Sequence, residues 1–263
     1  MIGGNLVKSF TAFALEGFPL IGAGDDLARI IVETARKEGL ELEDGDVIVA
    51  AQKIFSKAEG RVVKLRTVAV SGRAQELAGV VGKDPRFVEL VLRQTKRVMK
   101  ASSDILLVED VRGLVCINAG IDKSNVQGRG DFALLPEDSG RSAEECRVKI
   151  RRLTGKNVGV VVCDTFSRPF RRGQVNFAIG VAGLGCFRDY RGKKDLFGLV
   201  LKVKNVAVVD EISSAAELVM GQGKEARPVV VVRGLGESVS FCEECSADEL
   251  RISREEDLFT EAL

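Results

Sequence analysis

Short apolar runs alternate with amphipathic stretches along most of the chain, and the two patterns predict different elements. Continuous or alternating apolar residues predict β-strands, which we place at 5–15, 46–52, 61–65, 105–108, 113–118, 158–163 and 229–232. Apolar residues spaced three and four apart predict amphipathic helices, which we place at 25–39, 84–98, 142–153 and 211–220, with another from Glu249 onward. Both kinds of element are therefore expected in quantity.

The order of these elements favours an α+β fold. Neighbouring strands such as 105–108 and 113–118 have no helix between them, whereas a doubly wound sheet would need one. We therefore expect mixed and antiparallel sheets with packed helices. The chain has no internal repeat and no low-complexity linker, so we interpret 1–263 as a single unit; a division into two subdomains has no boundary in the sequence. The acidic stretch 237–263 is expected to form a C-terminal tail.

Composition restricts the chemistry that this chain can perform. Its 263 residues are 45% hydrophobic and 29% charged, which is typical of a globular protein and argues against disorder. The chain contains no histidine, and this excludes Ser-His-Asp hydrolysis, histidine acid–base catalysis and histidine metal ligands. Catalysis must therefore depend on carboxylates, lysine, arginine, backbone amides or a metal ion.

Charge is unevenly distributed although the net charge is only +1. The stretch 141–204 has 15 Lys/Arg against 5 Asp/Glu, and the stretch 243–263 has 8 acidic residues against 2 basic ones. These stretches are either two solvated faces of opposite sign, or the basic one attracts anionic small molecules into a cleft. The near-zero net charge does not predict a nucleic-acid partner.

The N-terminus and the cysteines indicate a cytoplasmic protein with reduced thiols. No charged lead precedes an apolar stretch, as a signal peptide requires, and no apolar run is long enough to cross a bilayer. We therefore expect no membrane partner. Cys116 and Cys163 lie in apolar runs and should behave as small buried hydrophobes. Cys242 and Cys245 form one Cys-x-x-Cys, too few ligands for a zinc site within one chain, and we interpret them as incidental thiols.

Asp122 lies in the first of two polar segments that carry candidate chemistry. It follows the predicted strand 113–118 within Ala119-Gly-Ile-Asp-Lys-Ser-Asn-Val. Its carboxylate is suited to a hard cation, although an Asx turn would equally require an aspartate here. Lys57 follows another predicted strand, in the polar turn 56–60. It either contacts phosphate oxygens or is an exposed hairpin lysine.

Asp164 opens the second polar segment, Asp-Thr-Phe-Ser-Arg-Pro-Phe-Arg-Arg-Gly-Gln at 164–174. It follows an apolar run, so we expect it at the carboxyl edge of a sheet, a common position for a functional acid. A turn-capping role is the alternative. Three arginines in the same segment, Arg168, Arg171 and Arg172, exceed what a turn requires and are suited to phosphate or carboxylate. Asp122 and Asp164 together predict a metal-assisted site for polyanionic substrates.

Collinear motifs between about residues 15 and 235 resemble those of a known family. They include Phe18-Pro-Leu-Ile, Gly24-Asp-Asp-Leu, Ser56-Lys-Ala-Glu-Gly, Lys83-Asp-Pro-Arg-Phe-Val-Glu, Asn118-Ala-Gly-Ile-Asp-Lys-Ser-Asn-Val, Asp164-Thr-Phe-Ser-Arg-Pro-Phe-Arg-Arg-Gly-Gln, Ala178-Ile-Gly-Val-Ala-Gly and Ala216-Glu-Leu-Val-Met-Gly-Gln. In this combination and order they resemble the coenzyme F420-0:gamma-glutamyl ligase family.

The resemblance implies a GTP-dependent ligase that adds L-glutamate, in gamma linkage, to coenzyme F420-0. It also implies Mg2+ or Mn2+, a response to K+, and an intertwined α+β homodimer. By motif, the GTP contacts would be Phe18, Pro19, Leu20, Ile21, Gln52, Lys53, Lys57, Asn125, Met220, Gly221, Gln222 and Gly223. The metal ligands would be Asp122, Asp164, Thr165 and Gln222, where some members have glutamate at the position of Gln222.

The mechanism that the residues and the resemblance predict together proceeds through an acyl phosphate and releases GDP and phosphate. Asp122, Asp164, Lys57 and Arg168 are the expected catalytic residues, because metal ions and cations neutralise charge during phosphoryl transfer. One alternative is another nucleotide-dependent amino-acid ligase or a phosphotransferase. The other is a non-catalytic protein that binds RNA or another anion through the basic stretch.

Overall fold

Helices and strands both occur throughout the part of the chain that the computed structural model describes, residues 8–128, 130–253 and 255–257. The helices in these ranges are α1 (Leu27–Lys37), α2 (Gln52–Ala58), α3 (Gly72–Val81), α4 (Pro85–Arg93), α5 (Ser139–Thr154) and α6 (Val208–Met220). The strands are β1 (Thr11–Ala14), β2 (Val47–Ala51), β3 (Val62–Lys64), β4 (Thr95–Ser102), β5 (Ile105–Asp110), β6 (Val115–Ile117), β7 (Asp131–Ala133), β8 (Gly159–Arg168), β9 (Arg171–Ala182), β10 (Phe187–Asp189), β11 (Asn205–Ala207) and β12 (Val229–Arg233). No helix in the described ranges is long and apolar enough to cross a membrane.

The chain divides into two compact units. The first contains Met1–Pro19, Leu27–Ala51 and Gly140–Ala247, and the second contains Leu20–Asp26, Gln52–Ser139 and Asp248–Leu263. Each unit is therefore assembled from segments distant in sequence, which explains why composition along the chain marks no boundary. The predictions of a single catalytic unit over 1–263 and of an acidic tail over 237–263 stay predictions.

A five-stranded sheet in the order β1-β12-β2-β8-β9 forms the centre of the first unit. Strands β2 and β8 are parallel, and the other neighbouring pairs are antiparallel. The central strands are continuous apolar runs because both of their faces are covered; Val49, Val161 and Val231, for example, are completely buried. The predicted strands 46–52, 158–163 and 229–232 are confirmed as the core of this sheet.

Helix α6 packs against β9 through polar contacts as well as apolar ones. The Asp210 carboxylate accepts a hydrogen bond from Ala178 N at 2.9 Å, and Ser214 Oγ donates to Asn176 O at 2.9 Å. Burial raises the pKa of Asp210, and the hydrogen bond from Ala178 opposes that rise. These contacts fix the register of the helix on the strand.

The second unit has its own apolar core and two smaller sheets. One sheet has the order β4-β5-β6 and the other pairs β3 with β7, all antiparallel. The core residues come from α3, α4, β5 and the segment before Asp122, and include Val81, Val88, Val91, Leu106 and Ala119. The loop that carries Asp122 is therefore anchored to this core from one side.

The α+β fold with mixed and antiparallel sheets is confirmed by these elements, while the homodimer stays a prediction. The predicted helix over 84–98 is wrong beyond residue 93. Helix α4 ends at Arg93, and Thr95 begins β4, whose backbone groups pair with β5. Local spacing cannot reveal that pairing, and the tertiary contact overrides it. Helix α3 was also missed, and α5 begins at Ser139 rather than at residue 142, where the predicted helix starts.

Cys242 and Cys245 are joined by a disulfide, so the expectation of incidental reduced thiols is wrong. Their Cα atoms are 5.6 Å apart, within the range that a disulfide allows. Spacing alone could not decide between a thiol pair and a bond. In the described ranges the remaining cysteines stay outside disulfides and are buried, as predicted for Cys116 and Cys163.

Candidate functional site

Helix α2 brings three of the sequence-predicted polar residues, Gln52, Lys53 and Lys57, together in the second unit. It follows β2 directly, and its buried residues include Gln52, Ile54 and Phe55. Ser56 Oγ donates to Gln52 Oε1 at 2.7 Å, so the polar positions are hydrogen-bonded within one turn of helix. The predicted polar turn at 56–60 is therefore wrong for residues 56–58, which continue a helix because their apolar neighbours are buried.

The loop that carries Asp122 has an unusual backbone. Asn118, Ala119 and Asn125 have positive φ values of 55°, 54° and 52°, and Gly120 has a φ of 67°. Non-glycine residues rarely adopt this region, and such strain clusters at functional sites. The two backbone hydrogen bonds between Asp122 and Ala133, at 3.1 and 2.8 Å, hold the loop in place.

Asp122 forms an ion pair with Lys53, the closest approach among the predicted site residues of this unit. Lys53 Nζ donates to Asp122 Oδ2 at 2.7 Å and to Ser124 Oγ at 2.7 Å. Ser124 in turn donates its hydroxyl to Asp122 Oδ2 and its backbone N–H to Asp122 Oδ1. Burial raises the pKa of Asp122, but the hydrogen bonds from Lys53 and Ser124 outweigh it and leave that pKa below the usual range. Asp122 is therefore an anion at neutral pH.

Lys57 is a half-buried cation on the same helix. Burial lowers the pKa of Lys57, and the charge of Lys53 lowers it further. Among the described residues, none forms a hydrogen bond or ion pair with the Lys57 ammonium. An ammonium group placed beside another cation without a carboxylate partner is suited to an anionic ligand such as phosphate.

Gly120 sets the backbone two residues before Asp122, and we expect Gly120→Ala to destabilise the protein by about 2–4 kcal/mol. An added Cβ would lie 2.7 Å from Leu135 Cδ1 and 2.8 Å from Leu135 Cγ, and Leu135 is completely buried. Urea unfolding measures the change. The control is Gly82→Ala, where φ is +65° but no atom lies within 4 Å of the added Cβ. Equal losses for the two variants would show that the Leu135 contact is unimportant.

In the first unit, Asp164 lies within a long β-hairpin rather than at a strand end. Strand β8 continues through Arg168, since residues 164–167 pair with 174–177 of β9. The predicted strand end at residue 163 is therefore wrong: the apolar pattern stops there, but pairing with β9 continues. Pairing with β2 does end at Cys163, so Asp164 lies at the carboxyl edge of the parallel β2–β8 pair, as expected. Neighbouring side chains alternate between the faces of a strand, so Asp164 and Thr165 point to opposite faces of this hairpin.

Thr165 belongs to a polar cluster that we define by Thr165, Asn176, Glu217 and Gln222. Thr165 Oγ1 donates to Asn176 Oδ1 at 3.0 Å. Gln222 Nε2 donates to Glu217 Oε1 at 2.8 Å and to Asn176 Oδ1 at 3.4 Å. Asn176 N donates to Glu217 Oε2 at 3.3 Å. The structure thus places two of the predicted metal ligands, Thr165 and Gln222, in one cluster. Their role as metal ligands stays a prediction.

Sequence reasoning missed Asn176 and Glu217 as members of this cluster. Asn176 is only 2% exposed and lies between apolar positions of β9, where a buried amide needs hydrogen-bond partners. Glu217 lies in a helix with two other acidic residues, Asp210 and Glu211, and the sequence alone does not distinguish the three. Burial raises the pKa of the adjacent Cys163 thiol, and the charges of Asp164 and Glu217 raise it further. The cluster is therefore an electronegative environment.

The arginines of the second polar segment lie at the end of the hairpin. Arg168 pairs with Arg171 in the last register position, and Arg168 Nη2 donates to Arg172 O at 3.2 Å. Arg168 Nε is buried and has no hydrogen-bond partner among the described residues. Arg171 and Arg172 are exposed. The exposed guanidinium groups of Arg171 and Arg172 are available to a negatively charged substrate.

The remaining predicted nucleotide contacts are distributed over both units. Phe18 and Pro19 belong to the first unit, and Leu20 and Ile21 to the second. Phe18 and Ile21 are buried, whereas Leu20 is 86% exposed. Met220 is the last residue of α6 in the first unit, and Gly221, Gln222 and Gly223 follow it. Asn125 lies in the strained loop of the second unit. Their joint contact with one nucleotide stays a prediction.

The predicted metal ligands offer oxygen donors but no complete protein cage. Among the described residues, no group of three or more Asp, Glu, Cys or His could hold an ion. A carboxylate has about four lone-pair directions, and Asp122 uses three of them for Lys53 and Ser124. Gln222 uses its amide nitrogen for the contacts above, which leaves the amide oxygen available as a ligand. Oxygen donors of this kind are suited to Mg2+, which binds one or two carboxylates and takes further ligands from substrate phosphates. That these four residues bind a common ion stays a prediction.

Comparisons with known proteins give the class. The model of the family described as F420-0:Gamma-glutamyl ligase matches residues 17–234. The coenzyme F420:L-glutamate ligase of Archaeoglobus fulgidus is 45% identical over 95% of this chain and 96% of its own length. Those of Methanothermobacter thermautotrophicus and Methanopyrus kandleri are 44% and 46% identical, each over 84% of this chain and 87% and 86% of their own lengths.

The chain, whose α+β fold carries sites built from carboxylates and lysines, is therefore a ligase. All three relatives belong to this enzyme class. The chain belongs to the F420-0:gamma-glutamyl ligase family. The resemblance inferred from the motifs is confirmed, and the chain is an enzyme of coenzyme F420 biosynthesis.

Proposed function

We propose that this enzyme uses GTP to join L-glutamate, in gamma linkage, to coenzyme F420-0. The family membership supports the coenzyme and the amino acid as substrates. The observation that carries the nucleotide-dependent part is the arrangement on α2, where Lys57 has no carboxylate partner and Lys53 is held against Asp122. Phosphoryl chemistry requires this combination of a cation for the phosphates and an anion for the metal.

The reaction has two steps in this proposal. A carboxylate oxygen of the coenzyme attacks the γ-phosphorus of GTP, and the bond from that phosphorus to GDP breaks. The glutamate amine then attacks the acyl carbon, the amide bond forms, phosphate leaves and the amine loses a proton. Lys57 and Arg168 steady the anionic groups, with Arg171 and Arg172 as further donors. Because the chain has no histidine, a carboxylate or the departing phosphate takes the proton.

Cations complete the proposal. Asp122, Asp164, Thr165 and Gln222 would hold Mg2+ or Mn2+, with K+ as a further requirement. When bound, the divalent ions neutralise the charge that develops on the transferred phosphoryl group. The GTP contacts named from the motifs are proposed with them, as is the homodimer. The oxygen donors of Asp122 and of Gln222 described above support this assignment.

Product analysis tests the proposal directly. We expect incubation with GTP, Mn2+, L-glutamate and coenzyme F420-0 to increase the coenzyme mass by whole glutamyl units. One GDP and one phosphate should form for each new amide bond. Mass spectrometry and phosphate release measure both. Omitting GTP should prevent growth of the coenzyme, because a free carboxylate does not acylate an amine.

The two alternative functions, another nucleotide-dependent enzyme and a non-catalytic binding protein, predict different experimental results. If GTP is hydrolysed or another acceptor is extended while the coenzyme stays unchanged, a different amino-acid ligase or a phosphotransferase is the correct assignment. A non-catalytic RNA-binding protein would show strongly salt-dependent RNA binding, and Asp122→Ala would leave that binding unchanged.

A further inference from the structure

The first unit contains a pocket whose lining includes none of the residues assigned to the candidate site above. Its volume is about 380 Å³, and it is lined by Arg188, Tyr190, Leu201, Lys204, Val206 and Glu211. Small-molecule sites in proteins have volumes of about 300–1,000 Å³ and combine apolar walls with a few polar groups. The lining is contributed by β10, β11, the loop between them and the first turn of α6, so the pocket is built within a single unit.

Two opposite charges in this pocket do not neutralise each other. Within the described residues, neither the Lys204 ammonium nor the Glu211 carboxylate makes a hydrogen bond or an ion pair. Arg188 makes one weak hydrogen bond, from Nη1 to Ser238 Oγ at 3.4 Å. A guanidinium has five N–H donors, so most of those of Arg188 remain for a ligand. The pocket therefore presents two cationic groups and one anionic group.

The same arrangement of side chains disfavours a planar stacking ligand and a phosphate group. Arg188 Cζ and Lys193 Nζ lie 5.1 and 5.3 Å from the centroid of the Tyr190 ring, so a planar ligand could stack on Tyr190 only by competing with these cations. A phosphate group would match Arg188 and Lys204 but would leave the Glu211 carboxylate without a counter-charge. A flexible ligand with two carboxylates and one ammonium matches the charges, and Leu201 and Val206 provide an apolar wall for its methylene groups.

We propose that this pocket binds the acidic α-amino acid that the enzyme adds. Arg188 and Lys204 bind its two carboxylates, and Glu211 binds its ammonium group. This inference rests on the proposed function, because it supplies the amino-acid subsite of that reaction. Helix α6 carries Glu211 in its first turn and Glu217 of the polar cluster about 9 Å further along the axis, given its rise of about 1.5 Å per residue. The helix therefore links the pocket to the segment that carries Gln222.

Binding of two related ligands tests the assignment of each charge. L-glutamate and glutarate have the same two carboxylates, but only L-glutamate has the amine. We expect Lys204→Gln to weaken both ligands about tenfold, and Glu211→Gln to weaken L-glutamate about tenfold without weakening glutarate, because a single charged hydrogen bond is lost in each case. Calorimetric or NMR titration, with and without GTP and Mn2+, measures the affinities. Lys202→Gln, on the same segment but outside the pocket, is the control.

Turnover provides the second readout. Both variants should raise the KM for L-glutamate about tenfold and leave the KM for GTP at the parent value. An unchanged KM for L-glutamate in both variants, with product still formed, overturns the pocket assignment and leaves the proposed function intact. Equal weakening of glutarate and L-glutamate by Glu211→Gln also overturns it, as does a parent protein that binds no L-glutamate. The expected binding pattern without any extension of the coenzyme upholds the pocket and contradicts the proposed function.

Discussion

Asp122→Asn should lower turnover by about 10³-fold while the protein stays folded. The substitution keeps the shape of the side chain and one oxygen, which can still accept the hydrogen bond from Ser124 N. It removes the charge that would bind the metal and that pairs with Lys53. The Lys53 ammonium, whose side chain is only 18% exposed, then lacks its counter-charge. Steady-state kinetics of phosphate release, together with far-UV circular dichroism, measures the two effects separately.

Asp104→Asn is the matched control for this prediction. Asp104 is an exposed aspartate of the same unit, and its φ of 63° is one that asparagine also tolerates. We expect parental turnover from this variant. Turnover within a few fold of the parent for Asp122→Asn would contradict the role of Asp122, whatever the motif resemblance suggests.

Lys57→Met should stabilise the ligand-free protein slightly and abolish its stabilisation by GTP. The folded protein disfavours the charged form of Lys57, because burial and Lys53 lower its pKa below the ordinary value of 10.5. Methionine removes this penalty, and after discounting for solvent we expect a rise in Tm of about 2 °C. Bound GTP stabilises the parent by mass action, and loss of the phosphate contact should reduce kcat/KM by about 10²-fold. Thermal unfolding with and without GTP and Mn2+ measures both.

The pH dependence of the parent follows from the same shift. The unfolded chain binds the Lys57 proton more tightly than the folded protein does, so the penalty is complete below the lowered pKa. It disappears as the pH rises through the window between that pKa and 10.5. The parent and Lys57→Met should therefore differ less in Tm at the alkaline end of this window. Lys64→Met, which changes an exposed lysine of β3, should alter neither Tm nor GTP binding. A GTP response of Lys57→Met equal to that of the parent would contradict the phosphate role.

Two of the predicted site residues, Lys57 and Asp164, were identified by type from the sequence but placed in the wrong local structure. Lys57 was expected in a polar turn and lies in α2. Asp164 was expected at the end of a strand and lies within a hairpin. In both cases the apolar pattern ended before the hydrogen-bonded element did. Periodicity reports the burial of side chains, whereas backbone pairing continues through polar residues as long as a partner strand or helical turn is available.

The sequence by itself determined the α+β class, four of the five strands of the central sheet and the family, because long apolar runs and collinear motifs are local information. It also excluded histidine chemistry and identified Asp122 as a candidate. Only the tertiary structure decided that Lys53 and Ser124 hold Asp122, that Asn176 and Glu217 join Thr165 and Gln222, and that a pocket forms around Lys204 and Glu211. These contacts connect residues far apart in the chain, and a single sequence does not record which distant polar groups satisfy one another.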